Sequence, residues 1–148
     1  MALADNRKAR FDYEILETLT AGIELLGLEV KSVRVHSATL DGAYVGIRGQ
    51  EAFLLQASIP AYQPSNTPKD YDPLRPRKLL LTKKELVHLE NAEHSRGLTI
   101  VPLKVYNKGK KIKVDIAIVR GKKKFDKRAS IQKRETDRDI ERTLKRGE

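Results

Sequence analysis

Between Phe11 and Arg120 the apolar positions fall at the spacings of folded elements. FDYEILE alternates apolar and polar residues and predicts a half-buried strand. Ile23, Leu26, Val30 and Val33 then recur at three- and four-residue spacing, so GIELLGLEVKSVR predicts a short amphipathic helix, with Gly27 as its weak point. AYVGIRGQEAFLLQ holds two alternating runs around Arg48-Gly49-Gln50 and predicts a hairpin. RKLLL adds a further short strand.

The next helix is announced by its ends. Thr82-Lys83-Lys84-Glu85 is a capping box, Leu81 and Leu86 stand at the staple positions, and Gly97 supplies a stop. LTIVPLKVY and KIKVDIAIVR then predict two long strands joined by Asn107-Lys108-Gly109-Lys110. Pro102 has no N–H to give a ladder, so it implies an edge or a bulge. Short antiparallel strands with inserted helices predict a mainly β body, a small closed or partly open barrel over residues 1–120.

Two stretches stand apart from that core. Residues 60–76 hold five of the six prolines and few aliphatics, so they predict a long surface loop. Residues 121–148 are too poor in apolar side chains to offset the entropy of ordering. Lys133/Asp137 and Glu141/Lys145 are nevertheless opposite charges four residues apart, which favour a helix weakly. This tail is expected to be disordered when free and helical when bound.

Charge sharpens the division. The chain carries 30 Lys+Arg against 20 Asp+Glu, a net of +10. Residues 120–148 alone hold twelve of the basic residues against six acidic ones. Such a field draws polyanions. No apolar run is long enough for a membrane helix, and MALADNRKAR lacks the apolar segment of a secretory signal. The absence of cysteine excludes disulfides and thiolate metal sites. A cytoplasmic protein without a membrane partner is expected.

Chemistry is hard to find in the pattern. His36, His88 and His94 are scattered, and the six-residue gap between the last two puts them on different helix faces. No nucleophile motif or phosphate-cradling glycine loop is present. Asp70 and Asp72 read as turn residues of the proline-rich loop. The expectation is a protein with no enzymatic activity, cofactor or metal. Binding fares better, because Lys108, Lys110, Lys111 and Lys113 cluster at one hairpin and Lys122, Lys123 and Lys124 follow the last strand. Such lysines meet phosphates and give salt-dependent affinity. Tyr13, Tyr44 and Tyr106 are candidates for base stacking, though each also suits core packing. Composition leaves RNA and DNA both open.

The segments Asn6-Arg7-Lys8-Ala9-Arg10, Asp12-Tyr13, AGIELLGLEVKSVR, RPRKLLLTKKEL, GLTIVPLKVYNKGKKIKV and RGKKKFDKR together resemble the bacterial SsrA-binding protein (small protein B) family. The resemblance implies an antiparallel OB-like barrel with embedded helices and a basic tail. It implies binding to the tRNA-like domain of transfer-messenger RNA and delivery, with GTP-bound elongation factor Tu, to stalled ribosomes for trans-translation. The tail would probe the decoding centre and mRNA channel.

Carried over by position, Asn6, Leu80 and Lys113 match residues used at or beneath the family's RNA-binding face. Asn6 is expected to hydrogen-bond RNA edges, Lys113 to meet a phosphate, and Leu80 to shape the surface through packing. Arg7, Lys8, Arg10 and Tyr13 join the RNA-binding set through the N-terminal match. Glu29 and Lys31 join it through EVKS, as functional groups or as cover for the helix surface, and Lys108 joins it from the hairpin. In the tail, Asp126, Lys127 and Arg128 match a functional triplet and Phe125 an aromatic or imidazole position. Lys122, Lys123, Lys124, Lys133 and Arg134 complete the ribosome-binding set. Two departures stand out: Thr20 occupies a position where the family commonly has glutamate, and Phe11 one where it usually has histidine. Thr20 hydrogen-bonds but supplies no carboxylate.

Overall fold

A computed structural model describes residues 2–121 of the chain. The strands are β1 (Ala2–Asp5), β2 (Tyr13–Ile23), β3 (Tyr44–Arg48), β4 (Glu51–Leu55), β5 (Arg77–Leu80), β6 (Leu98–Lys108) and β7 (Lys111–Gly121). Three helices are embedded among them: α1 (Arg7–Asp12), α2 (Gly27–His36) and α3 (Lys83–Glu93). One turn of 3-10 helix, Pro64–Asn66, interrupts the otherwise irregular proline-rich loop. The expectations for the tail lie outside the described residues.

All seven strands pair antiparallel in a single sheet, in the order β1-β6-β7-β2-β5-β4-β3. β3 comes to lie beside β6, which brings the two halves of the sheet around one core. Alternation in β7 explains the inside: Ile112, Val114, Ile116 and Ile118 all enter the main apolar cluster. The opposite face is not wholly bare. Ala117 and Val119 join Val101, Leu103 and Ala9 in a second small cluster beneath α1.

The two predicted hairpins form. β3 and β4 meet through Gly49 and Gln50, both in the left-handed region (φ 56° and 64°), as a two-residue turn with strand-matching twist requires. Gly109 (φ 64°) makes the equivalent bend between β6 and β7. Pro102 lies at a break of register between Pro102 and Lys104, so the bulge is the solution β6 adopts. The capping box of α3 is closed on both sides: Glu85 N donates to Thr82 Oγ1 at 3.2 Å, and Thr82 N donates to Glu85 Oε1 at 2.9 Å.

Two expectations are corrected. The first strand does not start at Phe11, because Arg7–Asp12 turn into α1; the strand runs on to Ile23 instead. Consequently Ile23 is a strand residue, and the helix begins at Gly27 rather than passing through it. The spacing of Ile23 imitates a helix, but pairing of Gly22 with Lys113 and Leu80 and of Ile23 with Leu79 holds this stretch extended. At its first turn α2 takes half a capping box, since Glu29 Oε1 accepts from Leu26 N at 2.9 Å and leucine has no acceptor to return.

Glu29 is also the centre of a buried charge network. Its carboxylate receives Arg77 Nε at 2.9 Å and Arg77 Nη2 at 2.5 Å, and it pairs with Arg75 as well. Tyr71 OH lies 3.2 Å from Glu29 Oε2 and 2.8 Å from the Ile59 carbonyl. Arg77 Nη1 donates to the Ala57 and Pro73 carbonyls at 2.8 and 2.9 Å. Both Glu29 and Arg77 side chains are fully inaccessible to solvent. Among the described residues no buried side-chain polar atom lacks a partner.

Burial pushes the Glu29 carboxyl up, but hydrogen bonds from Arg75, the Leu26 amide and Arg77 outweigh it and hold the group below the usual carboxylate range. A group depressed in the folded state stabilises the fold fully above its unfolded value and loses that contribution as pH falls through the folded value. Glu29→Ala should cost about 3–5 kcal/mol at neutral pH by stranding buried arginines. Urea unfolding between pH 7 and 3 should show the wild type losing stability on acidification more steeply than the variant.

Candidate nucleic-acid interface

Strand register sets the outer face of the sheet. Across β6, β7, β2 and β5, Tyr106 stands opposite Lys113, Lys113 opposite Gly22, and Gly22 opposite Leu80. In the neighbouring row Lys104 stands opposite Asp115 and Asp115 opposite Thr20. Lys108 and Lys111 close the hairpin end. The interleaved residues Val105, Val114, Ala21 and Leu79 are buried in the core, so both rows point outward.

These rows are chemically mixed. Thr20 Oγ1 and Tyr106 OH each donate to Asp115 Oδ1 at 3.0 Å. Lys104 Nζ lies 3.7 Å from Asp115 Oδ2 and 5.2 Å from the centroid of the Tyr106 ring. Thr20 therefore brings no carboxylate of its own but holds one that projects from the adjacent strand. Leu80 is 49% exposed, because alternation sends Leu79 inward to the core and leaves Leu80 on the surface. Its side chain lies across Gly22, where an added Cβ would come within 3.2 Å of Leu80 Cβ.

Asn6 is not on that surface. It is 2% exposed and caps α1, with Oδ1 accepting from Ala9 N at 3.1 Å. Its amide donates to the Pro102 carbonyl at 2.9 Å and the Leu40 carbonyl at 3.3 Å. The expected hydrogen bond from Asn6 to an RNA edge is thus corrected, since its side chain is enclosed and fully engaged. Arg7, Lys8 and Arg10 are exposed on α1, and Arg10 pairs with Asp5. Tyr13 packs against the small cluster beneath α1. It also lines, with Lys8 and Tyr44, a cleft of about 340 Å³.

The EVKS pair divides. Glu29 is buried in the network above, so it neither covers the helix surface nor reaches a ligand. Lys31 is exposed and sits 6.0 Å from the centroid of the Tyr62 ring. Arg34, at the other end of α2, donates to the Lys110 carbonyl at 3.0 Å and braces the basic hairpin. Sequence reasoning missed Lys104 and Asp115 as members of the face. Their outward phase in the alternating runs was the available signal, but their meeting with Thr20 depends on the β6 bulge and on long-range register.

Among the described residues, no cluster of His, Asp and Glu is placed to hold a metal, and no helix is long and apolar enough to cross a membrane. The family model for SmpB protein matches residues 3–146. The chain belongs to the SmpB protein family. SmpB relatives named "SsrA-binding protein" include those of Chloroflexus aggregans and Gloeobacter violaceus, each 49% identical over 144 residues. The matches cover 97% of this chain and 91% and 94% of those relatives. A solved structure described as "tmRNA-SmpB: a journey to the center of the bacterial ribosome" superposes with a TM-score of 0.68 at 43% identity, covering 82% of this chain and 85% of that one. The mainly β body with embedded helices expected from the strand pattern is the fold observed, and it agrees with the SmpB fold that the resemblance implied.

The position of Asn6 makes a specific demand. Asn6→Ala removes an N-cap and leaves two buried carbonyls without their donor, which should cost about 2–4 kcal/mol. Asn6→Asp keeps the cap acceptor but not the amide donors, and should also unfold at lower urea than wild type. Urea titration followed by circular dichroism measures both.

Proposed function

We infer that this chain binds transfer-messenger RNA through its tRNA-like domain and delivers it to stalled ribosomes for trans-translation. The observation that carries this reading is that the family match spans the folded body and the basic tail together. The outer face supports it physically. Lys104, Lys108, Lys111 and Lys113 offer cations to phosphates beside an apolar Leu80 surface, which suits a structured RNA more than a small ligand. The protein works by binding and positioning in the cytoplasm, and elongation factor Tu joins through the RNA.

Asn6 and Glu29 take part indirectly in this reading, one by seating α1 and the other by holding α2 and β5. Arg7, Lys8, Arg10 and Lys31 extend the basic surface, and Lys122–Lys124 with Phe125, Asp126, Lys127 and Arg128 engage the ribosome. RNA sequencing of what co-purifies with the protein should recover transfer-messenger RNA, and a pool without it would overturn the assignment. Lys113→Ala should weaken binding of the tRNA-like domain and reduce the salt dependence by about one phosphate contact, with no loss of melting temperature.

The division of labour has its own test. Removal of residues 122–148 leaves every described strand pairing in place, including Tyr13 with Gly121. The truncated body should melt like the full chain and retain RNA binding while losing peptide tagging on stalled ribosomes. A truncated body that fails to fold would show the division to be wrong.

A further inference from the structure

The outer face holds one feature that phosphate binding does not use. Asp115 is a carboxylate set between Lys104 and Thr20 across the strands, beside Lys113 in the same β7, on a surface otherwise suited to anions. Its side chain is 18% exposed, so it is recessed but reachable. Thr20 and Tyr106 both donate to Oδ1, which fixes the plane of the carboxylate. Among the described residues Oδ2 faces only the Lys104 ammonium at 3.7 Å, beyond hydrogen-bond reach, and keeps lone pairs for an incoming donor.

We propose that Asp115 is a specificity-determining residue of the RNA face, its Oδ2 accepting a hydrogen bond from the exocyclic amino group of a guanine. The proposal rests on the RNA-binding reading above. An ionised carboxylate accepts only, and it repels phosphate, so the RNA group placed here is a donor. A broad, shallow sheet face meets the wide minor groove of an A-form stem, because side chains cannot read the deep, narrow major groove. In that groove the guanine N2 amino group is the donor that base edges present. The flanking lysines then take the phosphates on either side. Thr20 and Tyr106 act as positioning residues, because they hold the carboxylate without facing the base through it.

Nucleotide-analogue interference with inosine, which lacks the N2 amino group, tests this directly. The tRNA-like domain of transfer-messenger RNA is transcribed with sparse inosine and partitioned by binding to the full-length protein. The wild type should reject inosine at a small number of guanosine positions. Asp115→Asn should bind the unmodified RNA roughly tenfold more weakly and should no longer reject inosine at one of those positions. Thr20→Val should weaken binding less and keep the interference pattern. A wild-type protein indifferent to inosine everywhere overturns the proposal without recourse to any variant. So does an Asp115→Asn protein that binds more weakly but keeps every interference site, since that is the signature of a residue that only organises its neighbours. Failure of the wild type to bind this RNA at all removes the functional reading along with the inference, and is thereby told apart from the other two outcomes.

Discussion

A carboxylate removed from water must be surrounded by donors or it will not stay charged, and Glu29 meets that demand by drawing three distant segments together. It belongs to α2, its arginines to β5 and the loop before it, and its tyrosine partner to the middle of that loop. Bonds from Arg77 to the Ala57 and Pro73 carbonyls extend the same knot to both ends of the proline-rich stretch. This is why a loop with so little apolar content has a defined course. The desolvation cost of such a network is large, so its value lies in geometry more than in net stability. It sets the seat of β5 beside β2, and hence where Leu80 lies relative to Gly22 and Lys113. At its other end α2 reaches the Lys110 carbonyl through Arg34, so one helix braces both borders of the basic face.

Much of the fold was readable because local rules and tertiary pairing agreed. Both hairpins, the capping box at Thr82 and the bulge near Pro102 follow from backbone chemistry that acts over a few residues. The errors come from places where distant pairing overrules local spacing. Ile23 sits at a helical interval from Leu26, yet β5 and β7 claim it for the sheet. α1 was missed because six residues carry too little periodicity, and its formation depends on Asn6 gripping the Pro102 carbonyl almost a hundred residues away. β1 is short enough to be invisible without its partner β6.

The candidate site was legible in its cations and obscure in its organisation. Lys108 and Lys113 announce themselves as a basic cluster in the sequence. That Lys113, Gly22 and Leu80 form one row across three strands is a property of register, which no single segment contains. Resemblance marked Asn6 as an RNA residue, and burial changes the kind of role this allows. Glu29 changes in the same direction. Both are framework residues, buried and engaged by protein groups instead of presented at the surface.

That distinction alters how the whole surface is to be understood. Along β6, the stretch from Val101 to Lys108 spans about 23 Å at the usual rise of a strand. Its start lies under α1 with Arg7, Lys8 and Arg10 nearby, and its end lies in the lysine hairpin. The bulge between Pro102 and Lys104 sits between those regions, and Asn6 binds the Pro102 carbonyl within it. An extra residue at this point shifts the phase of the strand, so that Leu103 packs beneath α1 while Lys104 next to it already faces Asp115 and solvent. Without that shift, regular alternation would place Lys104 on the side opposite to Leu103. The proline, the bulge and the buried asparagine together let one strand serve an apolar helix seat and a polar, solvent-facing row on the same face.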